Sequence, residues 1–284
     1  MSDFIKKYPG LIIFFTLGLV TILIFVMYLT WYRVNNSKQQ DIYEDIKEES
    51  WISNTALVDT KVDTKVSYEN EQEIITDENF KRVPDLKKYK ELNPDVVGYI
   101  YIPDSVIDYP ILQKEGSDDY YLKHNFDQKK GYPGCISIEK YANPCLNDKV
   151  STIYGHNMHN GTMFGSLHRM YRDFDYFKAH EYFYIYTEES VRKYRFICIT
   201  HYSDDHLLKD DFKMNDDGDF VFEGFKGDEP TKIMQALKDY NDEKAYFDQT
   251  EITDDDELMI LSTCNTDRTR VVAVGLKTED FRIN

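Results

Sequence analysis

A cysteine and an arginine stand six residues apart near the C-terminus, between two apolar runs. The runs are LMILST (258–263) and VVAV (271–274), and the segment between them begins with Cys264 and ends with Arg270. A lone cysteine is most often a small buried hydrophobe, but a thiol at an exposed strand end beside a cation ionises readily. Antiparallel pairing of the two runs would bring Arg270 beside the strand that carries Cys264. The stretch therefore indicates a nucleophilic thiol and a guanidinium that could hold an oxyanion.

His156 is the histidine placed best to move a proton. It directly follows the run VSTIYG (150–155), and a side chain at a strand end lies at the rim of a sheet. An imidazole there could act as general acid and base for a thiol, although an ordinary surface histidine is the alternative. His156 and His159 also form an HxxH pair, whereas zinc pairs typically occur as H-E-x-x-H with a further ligand. We expect no metal and no cofactor.

Eight short runs rich in Tyr, Ile and Val, separated by turn residues, predict a mainly β fold. This number of short strands favours a closed or nearly closed eight-stranded β-barrel. Apolar spacing predicts helices over Met163–Tyr171 and Thr231–Tyr240, and Pro84–Tyr89 predicts a short helix with proline in its first turn. The eight predicted strands are residues 98–102, 108–113, 135–139, 150–155, 182–187, 191–202, 258–263 and 270–275.

The N-terminal region predicts a membrane anchor. Leu11 to Thr30 contains no charged residue, and a helix needs roughly 20 apolar residues to cross a bilayer. Trp31 and Tyr32 follow where interfacial aromatic residues are expected. A secretory signal peptide has a shorter apolar core, of about 7–15 residues, and a small-residue cleavage site, so we predict an uncleaved anchor.

The chain is thereby divided into four segments: a short cytoplasmic tail (1–10), a transmembrane signal anchor (11–32), a polar stalk (33–80) and a catalytic domain (81–284). Residues 37–51 of the stalk could continue the helix beyond the membrane. Positive charges flank the anchor almost equally, so the shortness of the tail is the argument for a single-pass protein with an extracellular domain. A net charge of −17, from 34 basic and 51 acidic residues, excludes nucleic acid as an expected partner.

The three remaining cysteines predict less. Cys198 lies inside the strand-like run YRFICI (194–199) and is expected to face a core. A disulfide between Cys135 and Cys145 is conceivable in an exported domain, and the spacing leaves that pairing open.

Several motifs together resemble those of a class B sortase, a membrane-anchored cysteine transpeptidase of Gram-positive bacteria. The resemblance covers about residues 84–277, and its spacing from cysteine to arginine is shorter than in many members, which makes Arg268 an alternative. We choose Arg270 because it directly precedes VVAV, as the family's arginine precedes its strand. The matching motifs are NPDVVGYIYIP (93–103), IDYPILQ (107–113), YYLKHNFDQKKGYPGCISIE (120–139), IYGHNMHNGTMFGSL (153–167) and LSTCNTDRTRVVAVG (261–275).

The resemblance implies a sortase-type β-barrel that cleaves a C-terminal sorting signal between Thr and Gly through a thioester. Surface proteins with that signal would be the substrates, and a peptidoglycan precursor or a pilin lysine would supply the acceptor amine. The cell membrane would be a further partner through the anchor. Cys264, His156 and Arg270 would be catalytic, and Tyr154, Ser262 and Leu112 would line the peptide groove, although Leu112 could equally be barrel packing.

Two alternatives stay open at this stage. A membrane-anchored cysteine peptidase would use the same three residues but transfer its acyl group to water. A non-catalytic surface binding module would hold Cys264 in its core. The grouping of His156, Cys264 and Arg270 at strand ends argues against the binding module.

Overall fold

The computed structural model describes residues 9–53, 82–203, 212–214, 220–222, 229–264 and 268–283. The chain forms two compact units, Met1–Asp45 and Ile46–Asn284. The predicted strands all fall in the second unit.

The described residues form six helices and thirteen strands. The helices are α1 (Pro9–Ser50), α2 (Leu86–Leu92), α3 (Tyr120–Lys123), α4 (Gly165–Arg172), α5 (Phe174–Ala179) and α6 (Pro230–Asp239). The strands are β1 (Trp51–Ser53), β2 (Arg82–Pro84), β3 (Val96–Tyr101), β4 (Asp108–Gln113), β5 (Ile136–Ile138), β6 (Val150–Gly155), β7 (Tyr182–Tyr186), β8 (Ser190–Ser203), β9 (Phe212–Met214), β10 (Phe220–Phe222), β11 (Tyr246–Phe247), β12 (Leu258–Cys264) and β13 (Thr269–Arg282).

Eight of these strands close into a barrel, which confirms the predicted fold. Their order is β8-β13-β12-β6-β5-β4-β3-β7, and β7 pairs back with β8. β11 adds to the outer side of β8, while β1–β2 and β9–β10 form separate two-stranded sheets. Closure leaves no open sheet edge in the barrel itself.

One parallel pair sets the geometry of the rim. β6 and β12 run in the same direction, with Ser262 opposite Tyr154 and Thr263 opposite Gly155. Parallel neighbours end at the same side of a sheet, so the residues that follow both strands meet at one rim.

β13 is longer than predicted, and Gly275 explains the difference. A glycine after VVAV suggests the end of a strand, but here a Cβ on Gly275 would lie only 2.2 Å from Cε1 of Phe183. The glycine therefore allows an aromatic ring to pack on the strand, and a register shift lies between Val274 and Gly275. Pairing with β8 continues to Arg282.

The predicted helices form with small changes in their bounds. Helix α6 packs Ile233, Met234 and Leu237 into the cluster that contains Ile260 and Val272, beneath the strand that ends at Cys264. Helix α2 begins later than expected, because Asp85 caps it by accepting a hydrogen bond from Lys88 N at 3.2 Å, while Pro84 ends β2.

Helix α1 continues past the apolar segment to Ser50, as the sequence suggested. Within it, the 22 residues Ile13–Val34 are long and apolar enough to cross a membrane.

The second compact unit begins before residue 81. β1 pairs with β2, and the Trp51 ring lies 5.8 Å from the Tyr99 ring and 5.5 Å from the Tyr186 ring. Trp51 is thus packed on the barrel, although the sequence placed it in the stalk. Stalk residues 54–80 lie outside the described residues.

Candidate active site

The backbone brings Cys264, His156 and Arg270 to one rim of the barrel. Cys264 is the last residue of β12 and pairs with Arg270 of β13. The parallel register of β12 and β6 ends at Thr263 and Gly155, so Cys264 and His156 are the next residue of each chain segment. Residues 265–267, which join Cys264 to the turn, lie outside the described residues.

The contacts of His156 fix its tautomer. Nε2 lies 2.9 Å from the carbonyl oxygen of Leu122, which can only accept a hydrogen bond, so Nε2 carries a proton. In the neutral ring Nδ1 then holds the lone pair and is the atom able to take a proton. The ring also contacts that of Tyr132 at 5.4 Å between centroids. The backbone is held as well, because Phe164 N donates to His156 O at 3.0 Å.

Gly155 allows the turn that carries His156 to pack closely. A Cβ at this position would lie 2.5 Å from Cδ1 of Ile136 and 2.6 Å from Cγ of Phe164. Phe164 is fully buried and must approach the strand end so that its amide can reach His156. A larger residue at position 155 would displace that turn.

Arg270 is placed beside Tyr154. Its guanidinium carbon lies 5.7 Å from the centroid of the Tyr154 ring, within the range of a cation–π contact. Arg270 is half-buried, whereas Arg268 is exposed and has a positive φ of 54° in the turn. This placement supports Arg270 as the candidate for the oxyanion-binding role.

Glu139 joins two tyrosines behind Arg270. Tyr154 donates its hydroxyl proton to Oε1 of Glu139 at 3.2 Å. Burial raises the pKa of Tyr154 well above its usual value, Glu139 raises it further, and Arg270 acts in the opposite direction. Burial and a hydrogen bond to Glu139 likewise raise the pKa of Tyr141. Both phenols therefore stay protonated, so Tyr154 is a hydrogen-bond donor and a ring support, and not a base.

The other two predicted groove residues lie deeper. Ser262 is 2% exposed on β12, opposite Tyr154, and Leu112 is fully buried on β4 opposite Ser137. The position of Leu112 is that of barrel packing, the alternative that the sequence left open beside a groove role.

Sequence reasoning missed Leu122, Tyr132 and Glu139. All three lie in the motif of residues 120–139, but only the barrel brings that segment against His156 and Tyr154. Glu139 offered one signal, an acidic residue directly after the apolar strand ISI.

The described cysteines outside the rim form no disulfide with one another. Cys135 is buried and Cys145 is exposed, and no disulfide joins them. Burial raises the pKa of Cys198 well above its usual value, as expected for a core thiol inside a strand. Within the described ranges, no three His, Cys, Asp or Glu side chains are grouped so as to hold a metal ion.

Comparisons with known proteins, by sequence and by structure, both show similarity to sortases. The profile of the sortase domain matches residues 100–278. Sortase B of Listeria monocytogenes serovar 1/2a is 32% identical over 184 residues, which cover 65% of this chain and 68% of the relative.

Solved structures agree with that similarity. The structure of sortase B from Listeria monocytogenes has a TM-score of 0.52 at 30% identity and covers 67% of this chain and 99% of its own. Clostridium perfringens sortase B has a TM-score of 0.55 at 24% identity, covering 68% of this chain and 100% of its own, which shows a shared fold.

Proposed function

Because this chain belongs to the sortase family, class B, whose members are cysteine transpeptidases acting on sorting signals, we propose a specific reaction for it. It cleaves a C-terminal sorting signal between Thr and Gly and transfers the new acyl end to an amine of the cell wall or of a pilin. The observation that carries this proposal is the convergence of Cys264, His156 and Arg270 at one rim.

In the first half-reaction the Cys264 thiolate attacks the threonine carbonyl carbon. The carbonyl C–N bond breaks, a thioester C–S bond forms, and protonated His156 gives a proton to the leaving glycine amine. Arg270 would stabilise the negative oxygen of the tetrahedral intermediate, for which a guanidinium held against Tyr154 is suited.

In the second half-reaction an amine attacks the thioester. The C–S bond breaks, an amide bond forms, and the amine proton passes to His156, which restores the thiolate–imidazolium pair. Protonated Nε2 remains bonded to the Leu122 carbonyl, so Nδ1 is the atom that exchanges the proton.

Sortases are cell-envelope enzymes, and the apolar part of α1 suits a single membrane anchor. We place the barrel on the extracellular face, where both surface proteins and the peptidoglycan precursor are available.

The experiment is to incubate the full-length chain in detergent with sorting-signal peptides and to detect the acyl-enzyme by intact mass. Wild type should gain the mass of the peptide's N-terminal part on Cys264, and Cys264→Ala should gain none. His156→Ala should lose nearly all turnover. Cys198→Ala is the matched control, since it removes a buried thiol and should change stability only.

Product partitioning then separates transfer from hydrolysis. Glycine oligomers, diaminopimelate-type amines and lysine peptides are added in turn, and the products are resolved by mass spectrometry. A suitable amine should raise turnover and divert the acyl group to an amide. Fast hydrolysis with no capture by any amine would replace the transpeptidase with the peptidase.

A further inference from the structure

A cavity of about 640 Å³ begins one residue beyond His156. Two segments form it: the loop that follows His156 (residues 157–161) and the outer side of helix α4. Twelve described residues line the cavity, and they include two arginines and two histidines but no carboxylate. In a chain with a net charge of −17 this composition is unusual, and it favours an anionic ligand.

The arginines lie on one face of α4 with a serine. Ser166, Arg169 and Arg172 are spaced three residues apart and share the face that borders the cavity. Leu167 and Met170, on the other face, are buried in the barrel unit. Ser166 belongs to the first turn of the eight-residue helix, where the backbone N–H groups attract negative charge.

The Ser166 hydroxyl is the second sign of a ligand. Ser166 is only 6% exposed and lines the cavity, and its Oγ has no hydrogen-bond partner among the residues that the structure describes. The Oγ atom is itself almost inaccessible, and a buried hydroxyl without a partner is costly, so a rotation of this side chain that brings Oγ to an accepting ligand atom would be stabilising.

The surrounding groups are held in place. Nε of Arg172 donates to the His168 carbonyl at 3.0 Å. The Arg169 guanidinium stacks 3.8 Å from the centroid of the Tyr176 ring. Asn160 orders the loop by accepting from Thr162 Oγ1 at 2.7 Å. Fixed guanidinium groups match the two oxygens of a carboxylate.

We propose that this cavity binds the carboxylate of the acceptor substrate, and thereby holds the acceptor amine near His156. The proposal rests on the proposed transpeptidase function. The amine end of an acceptor is cationic before it loses a proton, so the arginines repel it and attract the anionic end. The cavity starts at Asn157, next to the residue that takes the amine proton, so the amine end of an acceptor anchored there by its carboxylate could extend toward His156.

The test uses two acceptors that differ only in this charge: triglycine, which ends in a carboxylate, and triglycinamide. Wild-type full-length chain should use triglycine about tenfold more efficiently, since charge-assisted hydrogen bonds are roughly twice as strong as neutral ones. Arg169→Gln/Arg172→Gln should lose that preference while forming the acyl-enzyme at the wild-type rate. Ser166→Ala should reduce the preference severalfold, and Arg282→Gln, an exposed arginine on β13, is the matched control.

A binding measurement tests the carboxylate site separately from the transfer reaction. N-acetyltriglycine has a carboxylate but no amine, and its binding to wild type and to the double arginine variant can be followed by calorimetry. Binding of N-acetyltriglycine to wild type and not to the double arginine variant supports the carboxylate site, even if no acyl-enzyme ever forms. The absence of an acyl-enzyme would overturn only the proposed function. Equal use of both acceptors, or binding of inorganic phosphate in place of N-acetyltriglycine, would overturn the assignment.

Discussion

The two rims of the barrel use charged residues differently. At the rim where β6 and β12 end, Arg270 lies over the Tyr154 ring at 5.7 Å and His156 donates to the Leu122 carbonyl at 2.9 Å. At the opposite rim, where β12 begins, Lys277 contacts Glu257 at 2.5 Å and Asp280 at 3.5 Å.

Two arginines, Arg270 at the first rim and Arg192 at the second, show the same difference. Arg192 is 6% exposed, donates to the carbonyls of Cys145 and Leu146 at 2.8 and 2.7 Å, and faces Asp280 at 3.4 Å. Its partners tie a loop and two strands together. At the first rim a ring and a carbonyl orient the side chains of Arg270 and His156, whereas at the second rim ion pairs and hydrogen bonds hold a loop and the strand ends in place. Substitutions at the two rims should therefore separate chemistry from stability.

The largest effect should come from Arg270→Lys. A point charge cannot replace the paired donors of a guanidinium, and losing one oxyanion donor typically reduces turnover by about 10²–10³. Arg268→Lys is the matched control, because Arg268 is an exposed arginine just before β13, two residues from Arg270. Steady-state turnover with a sorting peptide checks both variants. A large loss in Arg268→Lys with near-normal turnover in Arg270→Lys would show that the role belongs to Arg268 and not to Arg270.

Arg192→Met should have the opposite signature. Removing hydrogen bonds from a charged donor to two carbonyls, one of them buried, should lower the free energy of unfolding by about 2–3 kcal/mol. Turnover per folded molecule should stay within twofold of wild type. Urea denaturation and turnover, normalised to the amount of acyl-enzyme, measure the two quantities. A loss of turnover in this variant would break the division between the rims.

Tyr154→Phe tests how the first rim is supported. The ring that faces Arg270 is kept, and only the hydrogen bond to Glu139 is lost, so the unfolding free energy should fall by about 0.5–1.5 kcal/mol. Turnover should fall only severalfold. A fall as large as that of Arg270→Lys would mean that the hydroxyl, and not the ring, supports the reaction.

The pH dependence of that stability difference follows from the raised pKa of Tyr154. A raised folded-state pKa means that the folded protein holds the phenol proton more tightly than the unfolded chain does. The contribution is therefore fully present below about pH 10, the unfolded value, and is lost only as the pH rises further. The unfolding free energies of wild type and Tyr154→Phe should differ by the same amount at pH 7 and pH 9. The difference should be smaller at pH 11.

The smallest effect should follow removal of residues 1–32. Both rims belong to the unit Ile46–Asn284, so the truncated chain should be soluble, folded and as active toward peptides as the full chain. Circular dichroism and peptide turnover check this expectation. An unfolded product would show that the barrel depends on the N-terminal segment.

Much of the fold was predictable, because each barrel strand is an apolar run bounded by turn residues. The short strands β1 and β2 and the two-residue β11 were not, since segments of two or three residues carry no periodic signal. Gly275 was misleading for a related reason. A glycine that ends a strand and one that admits a neighbouring ring have the same sequence signal, and the difference depends on Phe183, about 90 residues away.

For the active site, the sequence alone determined which groups are present: a thiol and an imidazole at strand ends, and an arginine at the start of the last strand. It also determined the apolar segment near the N-terminus, because length and composition suffice for that. Only the tertiary structure decided their arrangement. The parallel pairing of β6 with β12 joins residues more than 100 positions apart, and it makes Cys264 and His156 neighbours. The same closure brings Leu122 to His156 and Glu139 to Tyr154, and so fixes the proton on Nε2 and the neutral phenol. These contacts depend on strand register, which is set by packing across the whole barrel and not by any local stretch of residues.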